Sequence, residues 1–181
     1  MPRPRTNRPG HNAPDADAEP TPDPVELLPP QQRATLDRAL TLLRDRSPTA
    51  GALGDLPQVT VPPSHVKEAC LACRDDSELD CRMLLCLACV DYQERFELVY
   101  FLQSLARERT LVIKAAVPYD APSLPSVADV WPAADWYERE AHDLFGVTFS
   151  GHPDLSPLLL YPEFDGFPGR KEYDFYDYRE F

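Results

Sequence analysis

Apolar residues recur at helical spacing over Gln31–Arg46, where Leu36, Leu40 and Leu43 share one face at i, i+4 and i+7. The spacing predicts an amphipathic helix. Gly51–Leu56 carries no period and reads as a linker, and Gln58–Val61 as a short alternating strand. Pro62-Pro63-Ser64 opens a second helix, because a proline in the first turn forfeits no hydrogen bond. Its apolar stripe is Val66, Cys70 and Cys73, and it is expected to end near Asp75. Asp80–Val90 is apolar at nearly every position and predicts a central strand buried on both faces. Arg95–Leu102 alternates through Phe96, Leu98, Tyr100 and Leu102, and Thr110–Val117 through Leu111, Ile113 and Ala115. Short connections join these three strands, which predicts an antiparallel meander.

Pro118–Pro125 reads as a proline-punctuated loop. Ser126, with Asp129 three residues on, predicts a helix start that Pro132 breaks. Asp135 and Glu138 have capping-box spacing for the next helix, and Gly146 ends it. On that helix Tyr137, Ala141 and Leu144 form the expected core stripe. Trp136, Glu140 and Asp143 share another face, and Arg139 and Asp143 are i, i+4 partners. The fold class is α+β, a small antiparallel or mixed sheet packed with helices over residues 31–150.

The ends differ in character. Residues 1–30 hold nine of the 21 prolines and no apolar period, and read as a disordered tail. No apolar segment follows Arg3, Arg5 and Arg8, so the tail does not read as a secretory signal. Residues 151–181 read as an extended arm that docks on another subunit. Its last part, 161–181, holds eight of the 18 aromatics, six acids and three bases, but no Leu, Ile, Val, Met or Ala. Such a stretch cannot build its own core, and its rings suit an interface.

A net charge of −12 argues against sequence-independent nucleic-acid binding and against self-docking on anionic lipid. The longest apolar run, Met83–Val90, is far short of the ~20 residues that span a bilayer, so any membrane link runs through partners. Five cysteines, an odd number, point to free thiols in a reducing compartment.

Cys70-x-x-Cys73 and Cys86-x-x-Cys89 raise a zinc or iron–sulfur site, as in a stand-alone binding module. Against it, the first pair sits on an apolar helix face, and the second pair, three apart in a strand, points to opposite faces. Glu140 with His142 allows an acid–base reading, but neither a nucleophile nor a phosphate loop accompanies them. Glu138, Arg139, Glu140 and Asp143 fit either a solvated helix face or an ion network between subunits. Arg170-Lys171 could clamp a carboxylate or phosphate, or pair with a partner's acids. No G-x-G-x-x-G fingerprint marks a dinucleotide site.

Glu138-Arg139-Glu140-x-x-Asp143-Leu144-Phe145-Gly146, Gly151-His152-Pro153-x-Leu155 and Phe167-Pro168-x-Arg170-Lys171-x-Tyr173, in that order, resemble the thirty-kilodalton subunit family of respiratory complex I, which in bacteria is the C subunit of NADH–quinone oxidoreductase. The likeness extends upstream through Val90-Asp91-Tyr92, Arg95-Phe96-Glu97-x-x-Tyr100 and Ser126-Val127-x-x-Val130-Trp131-Pro132. Ser156-Pro157 departs from the family's frequent basic pair, and Gly169 from its frequent leucine. The resemblance implies a hydrophilic peripheral-arm subunit with no catalytic residue, metal or cofactor of its own. FMN, Fe–S clusters and quinone would lie in partner subunits of a proton-translocating NADH:quinone oxidoreductase. The chain would pack on the quinone-pocket large subunit and neighbouring Fe–S subunits, at the cytoplasmic face of the plasma membrane. Glu138, Arg139, Glu140, Asp143, His152, Arg170, Lys171 and Tyr173 are its expected subunit-interface residues. A membrane-bound hydrogenase or a ferredoxin-driven complex would use an equivalent subunit.

Overall fold

The computed structural model describes residues 23–174. Most of the expected N-terminal tail lies outside the described residues, but its last part is folded. Leu28 is buried, and Arg33 Nη2 donates to the carbonyls of Val25 and Glu26 at 3.0 and 2.6 Å. Helix α1 (Pro30–Leu43) starts on a proline, whose fixed φ suits a first turn, and it buries Leu36, Ala39 and Leu43. A 3-10 turn at Arg44–Arg46 completes the expected helix.

Strand β1 (Thr49–Leu53) occupies much of the expected linker and pairs antiparallel with β2 (Leu56–Thr60). Gly54, at φ +61°, takes the first position of the two-residue turn, as a type II′ hairpin requires. β1 is made of small or exposed residues, so it shows no alternation.

β2 runs parallel to β5 (Arg109–Pro118), β5 antiparallel to β4 (Arg95–Ser104), and β4 antiparallel to β3 (Met83–Asp91). The mixed sheet has the order β1-β2-β5-β4-β3, so the meander forms as expected, but β3 is an edge strand and not a central one. It reads as two-faced in the sequence because its outward positions, among them Met83, Leu85, Ala88 and Val90, are apolar too, and because a bulge lies between Leu84 and Cys86. Leu84, Leu87, Cys89 and Asp91 stand opposite Leu102, Tyr100, Leu98 and Phe96. The extra residue lets Leu84 and Leu87, three apart, both reach the core. An all-apolar run is therefore a one-faced strand with a half-covered outer side.

α1, α2 (Val66–Asp75) and α3 (Ala134–Phe145) pack on the sheet face that carries Val59, Ile113, Leu98, Tyr100 and Leu102. The opposite face carries the Glu97–Lys114 pair at 3.0 Å. Val66, Cys70 and Cys73 of α2 are buried, as their stripe predicts. Arg38 on α1 grips Asp76 just after α2. That grip, with the N–H groups of Leu79 and Glu78, holds the Asp76 carboxyl below its ordinary value.

Around α3, β6 (Ser123–Pro125) and β7 (Thr148–Ser150) form a short parallel pair. The helix expected from Ser126 is a single turn, in which the N–H groups of Val130 and Trp131 donate to the Val127 carbonyl. α3 has Ala133 as its N-cap and no side-chain cap, so the Asp135–Glu138 capping box does not form. Gly146 ends α3 as expected, at φ +75° with its N–H on the His142 carbonyl.

Candidate functional site

Helix α3 directs its charged residues to three surroundings. Glu138 points inward and is fully buried. Its Oε2 accepts the Ser126 hydroxyl at 2.6 Å and its Oε1 accepts the Val127 N–H at 2.7 Å. Ser126 Oγ accepts the Ala128 N–H at 3.1 Å. The two residues expected to cap separate helices thus meet each other and pin the preceding turn to α3. Burial pushes the Glu138 carboxyl above its ordinary value, against the opposing pull of Ser126, Val127 and His152.

The His152 side chain is buried beside it. Nε2 lies 3.0 Å from Asp135 Oδ1 and 3.8 Å from Glu138 Oε2. Nδ1 accepts the Asp154 N–H at 3.1 Å, which leaves the ring proton on Nε2, aimed at Asp135. Glu138 and His152, both expected at a subunit interface, therefore sit inside this chain.

Asp143 and Arg139 hold the segment that follows β7. Asp143 Oδ2 accepts the N–H groups of Leu158, Leu159 and Leu160 at 3.2, 2.8 and 2.9 Å. Arg139 does not take its expected i, i+4 partner Asp143. Its guanidinium donates to the carbonyls of Ser156 and Pro157, both at 3.0 Å, and to Ser156 Oγ at 3.3 Å.

Farther along, the segment covers the C-terminal end of α3. Gly169 N–H donates to the Leu144 carbonyl at 2.9 Å, and Arg170 Nε to the Phe145 carbonyl at 2.9 Å. These carbonyls have no partner within the helix. The Arg170 guanidinium lies 4.6, 5.0 and 5.3 Å from the ring centroids of Phe167, Tyr119 and Phe96. Lys171 N–H donates to Asp91 Oδ2 at 2.8 Å, while its side chain is exposed. The Tyr173 ring stacks at 6.0 Å on Phe164. Through residue 174 the expected arm lies along its own chain, without regular helix or strand; residues 175–181 lie outside the described residues.

The outer side of α3 is open. Trp136 and Leu159 are 65% and 60% exposed, and with Tyr137, Glu140 and Leu158 they line a cleft of about 510 Å³. Tyr137 and Glu140 also line a groove of about 360 Å³ between α3 and the free edge of β3, with Cys86, Cys89 and Leu144. The Tyr137 hydroxyl donates to the Leu85 carbonyl at 2.8 Å. Of the expected core stripe Ala141 is buried, Tyr137 packs half-buried against the core while it lines the groove, and Leu144 is a groove wall. The expected face of Trp136, Glu140 and Asp143 is divided, with Asp143 buried under residues 158–160.

Sequence reasoning passed over Ser126 as the partner of Glu138, Asp91 as the acceptor for Lys171, and Phe96 and Tyr119 as the rings around Arg170. Asp91 and Phe96 stood in the upstream motifs, which was the available signal. Glu140 and His142 do not converge: the His142 Nδ1–H donates to the Val147 carbonyl at 2.8 Å. Burial pushes the Cys70 and Cys73 thiols up, and Cys81 and Cys89 up to about 12, which disfavours thiolate ligands. Among the described residues no three His, Cys, Asp or Glu side chains are grouped to hold a metal ion, and no helix is long and apolar enough to cross a membrane.

The model of the family described as respiratory-chain NADH dehydrogenase, 30 Kd subunit matches residues 59–179, a span that contains α3, the segment folded on it and β3. The NADH-quinone oxidoreductase C subunit of Salinispora arenicola (strain CNS-205) is 41% identical over 115 residues, which cover 61% of this chain and 47% of that one. This chain thus spans about half the length of that relative. A trypsin-resistant fragment (1–134) of Nqo5 superposes with a TM-score of 0.55 at 31% identity, over 66% of this chain and 98% of the fragment. A chain of the membrane-bound sulfane sulfur reductase, an archaeal respiratory membrane complex, superposes with a TM-score of 0.64 at 26% identity, over 78% of this chain and 86% of that one. With two thirds of its length matched by one family model, this chain belongs to the respiratory-chain NADH dehydrogenase 30 Kd subunit family.

Proposed function

We propose that this chain is a peripheral-arm subunit of a proton-translocating NADH:quinone oxidoreductase. It carries no cofactor and supports the quinone-site subunit, while FMN and Fe–S clusters in partner subunits pass electrons from NADH to quinone. The observation that carries this reading is the family match over residues 59–179. The disposition of α3 supports it: Arg139 and Asp143 brace the chain's own segment, and Trp136 and Leu159 are largely exposed among the described residues. On this reading the chain reaches the cytoplasmic face of the plasma membrane through its partners.

The likeness to the sulfane sulfur reductase chain favours a second reading, an equivalent subunit in a membrane respiratory complex with another electron donor. One experiment separates the two. The tagged full chain is purified from its host's membranes in mild detergent, and the co-purifying polypeptides are identified. The expected result is a set of subunits with flavin-dependent NADH:quinone reductase activity, absent from membranes that lack this chain. Full NADH:quinone activity in such membranes sinks the first reading. A set with no NADH-oxidising subunit moves the chain to the second.

A further inference from the structure

The cleft and the groove on the outside of α3 meet at Tyr137 and Glu140, which line both. The other acids in this region are engaged: Glu138 by Ser126 and Val127, Asp143 by the amides of 158–160, Asp135 by His152, Asp91 by Gln93 and Lys171. Glu140 is exposed, and its carboxylate makes no hydrogen bond or ion pair with the described residues. A lone carboxylate thus stands between walls made by Trp136 and Leu159 on one side and Leu144 and Cys86 on the other. The wall beyond Trp136 is held in place, because Asp143 fixes three successive amides there.

We infer that this double groove receives an apolar segment of a neighbouring subunit bearing one arginine or lysine, whose cation meets Glu140. The inference rests on the subunit reading above and names the chemistry of the partner. An occupant that covers Trp136 and Leu159 takes Glu140 partly out of water. Unlike Glu138 and Asp143, it has no hydroxyl or amide donors of this chain converging on it, so the occupant has to bring the partner, and a side-chain cation is the strongest one. Arginine suits the site best, since its planar head can pair with Glu140 and stack on Trp136. Other occupants fit less well. In an isologous contact between two copies centred on this cleft, the two Glu140 carboxylates stand near each other. Residues 175–181 bring two acids, Asp177 and Glu180, against the single Arg179. Anionic lipid is repelled by a chain of net charge −12.

The test places the photo-crosslinking residue p-benzoylphenylalanine at position 136 of the full chain, expressed in its host. Membranes are irradiated, the complex is purified, and crosslinked peptides are identified by mass spectrometry. The expected product is a peptide of another subunit with an arginine or lysine within one helical turn of the linked residue. Glu140→Lys should lower the yield of that product about tenfold or more, because it sets like charge against like. Glu140→Gln should lower it less. Changing the partner's cation to Glu should restore crosslinking to the Glu140→Lys chain. A product within this chain or between two copies, a partner peptide without a cation, or an unchanged yield in Glu140→Lys overturns the inference. So does the absence of a product from a chain that still co-purifies with the complex, a result that leaves the subunit reading standing. A chain that co-purifies with no other subunit removes both.

Discussion

The Leu159 N–H lies 2.8 Å from Asp143 Oδ2, and the amides of Leu158 and Leu160 converge on the same oxygen at 3.2 and 2.9 Å. A segment without helical or strand period acquires a fixed path by giving its backbone donors to a carboxylate. Asp143→Ala leaves three part-buried donors without that acceptor and is expected to lower stability by roughly 2–4 kcal/mol. Asp143→Asn keeps an oxygen but not the charge, and roughly 1–2 kcal/mol is expected. Tryptic cleavage after Arg170 and Lys171, followed by mass spectrometry, should accelerate in the same order. Superimposable urea curves for the wild-type and Asp143→Ala chains would remove the carboxylate's role.

Gly146 separates local backbone strain from arm docking. It has φ +75°, and a Cβ there would stand 2.6 Å from the Phe167 ring and 2.9 Å from Arg170 Nη2. Gly54 has φ +61° with nothing within 4 Å of a Cβ. Gly54→Ala should therefore show backbone strain alone, about 1 kcal/mol. Gly146→Ala adds displacement of Phe167 and Arg170, for a total of roughly 2–4 kcal/mol, with faster tryptic cleavage at Arg170. Equal losses for the two variants would mean that the arm does not press on the end of α3.

What could be read from the sequence follows from how each element is held. The Val66, Cys70 and Cys73 stripe and the Gly146 stop were legible, because periodicity and a left-handed cap are local properties. β1 was not, since the residues of Thr49–Leu53 are small or exposed and pair only across one tight turn. β3 looked central because its outward residues are as apolar as its inward ones and a bulge at its start further masks the alternation. Glu138 had capping-box spacing to Asp135, yet Ser126, twelve residues away, is its partner. Arg139 and Asp143 looked like a pair until residues 156–160 came between them as a backbone ligand for both. For Glu138 and for the Arg139–Asp143 pair a nonlocal partner replaced a local one of equal chemical merit, and spacing cannot rank those.

Arg170 sits among Phe96, Tyr119 and Phe167 with Nε on the Phe145 carbonyl. Arg170→Lys keeps the charge but loses the planar stack and the directed bond, and about 1–2 kcal/mol of stability is expected to go with them. Arg170→Met fills much of the same space but leaves the helix-end carbonyl without its donor, and should lose about as much or more. Because the guanidinium is largely shielded, with its side chain 17% exposed, 0.5 M salt should narrow the gap between wild type and Met only slightly. A thermal-unfolding gap that vanishes in salt would assign Arg170 to surface electrostatics.

Glu138 gives a pH signature with a definite sign. Burial raises its carboxyl above the ordinary 4.5, so the folded state holds the proton longer than the unfolded chain. Its ionisation therefore opposes folding. The effect is absent at pH below 4.5, grows as pH rises through the folded value, and is constant above it. Asp76 acts in the opposite sense, since Arg38 holds it low: its contribution is full above the ordinary carboxylate range and is lost as pH falls. Comparing wild type with Glu138→Gln cancels Asp76. The glutamine can still accept the Val127 N–H and can donate to Ser126 Oγ, so at neutral pH its stability should lie within about 1 kcal/mol of wild type. The difference, Gln minus wild type, should rise from pH 4 to 8. Glu138→Ala leaves Ser126 and Val127 unpaired in the core and should lose about 3–4 kcal/mol. Parallel stability–pH curves for wild type and Glu138→Gln, measured by urea unfolding, would place the ionisation of Glu138 outside the folding balance and leave Ser126 and Val127 as bonds of shape alone.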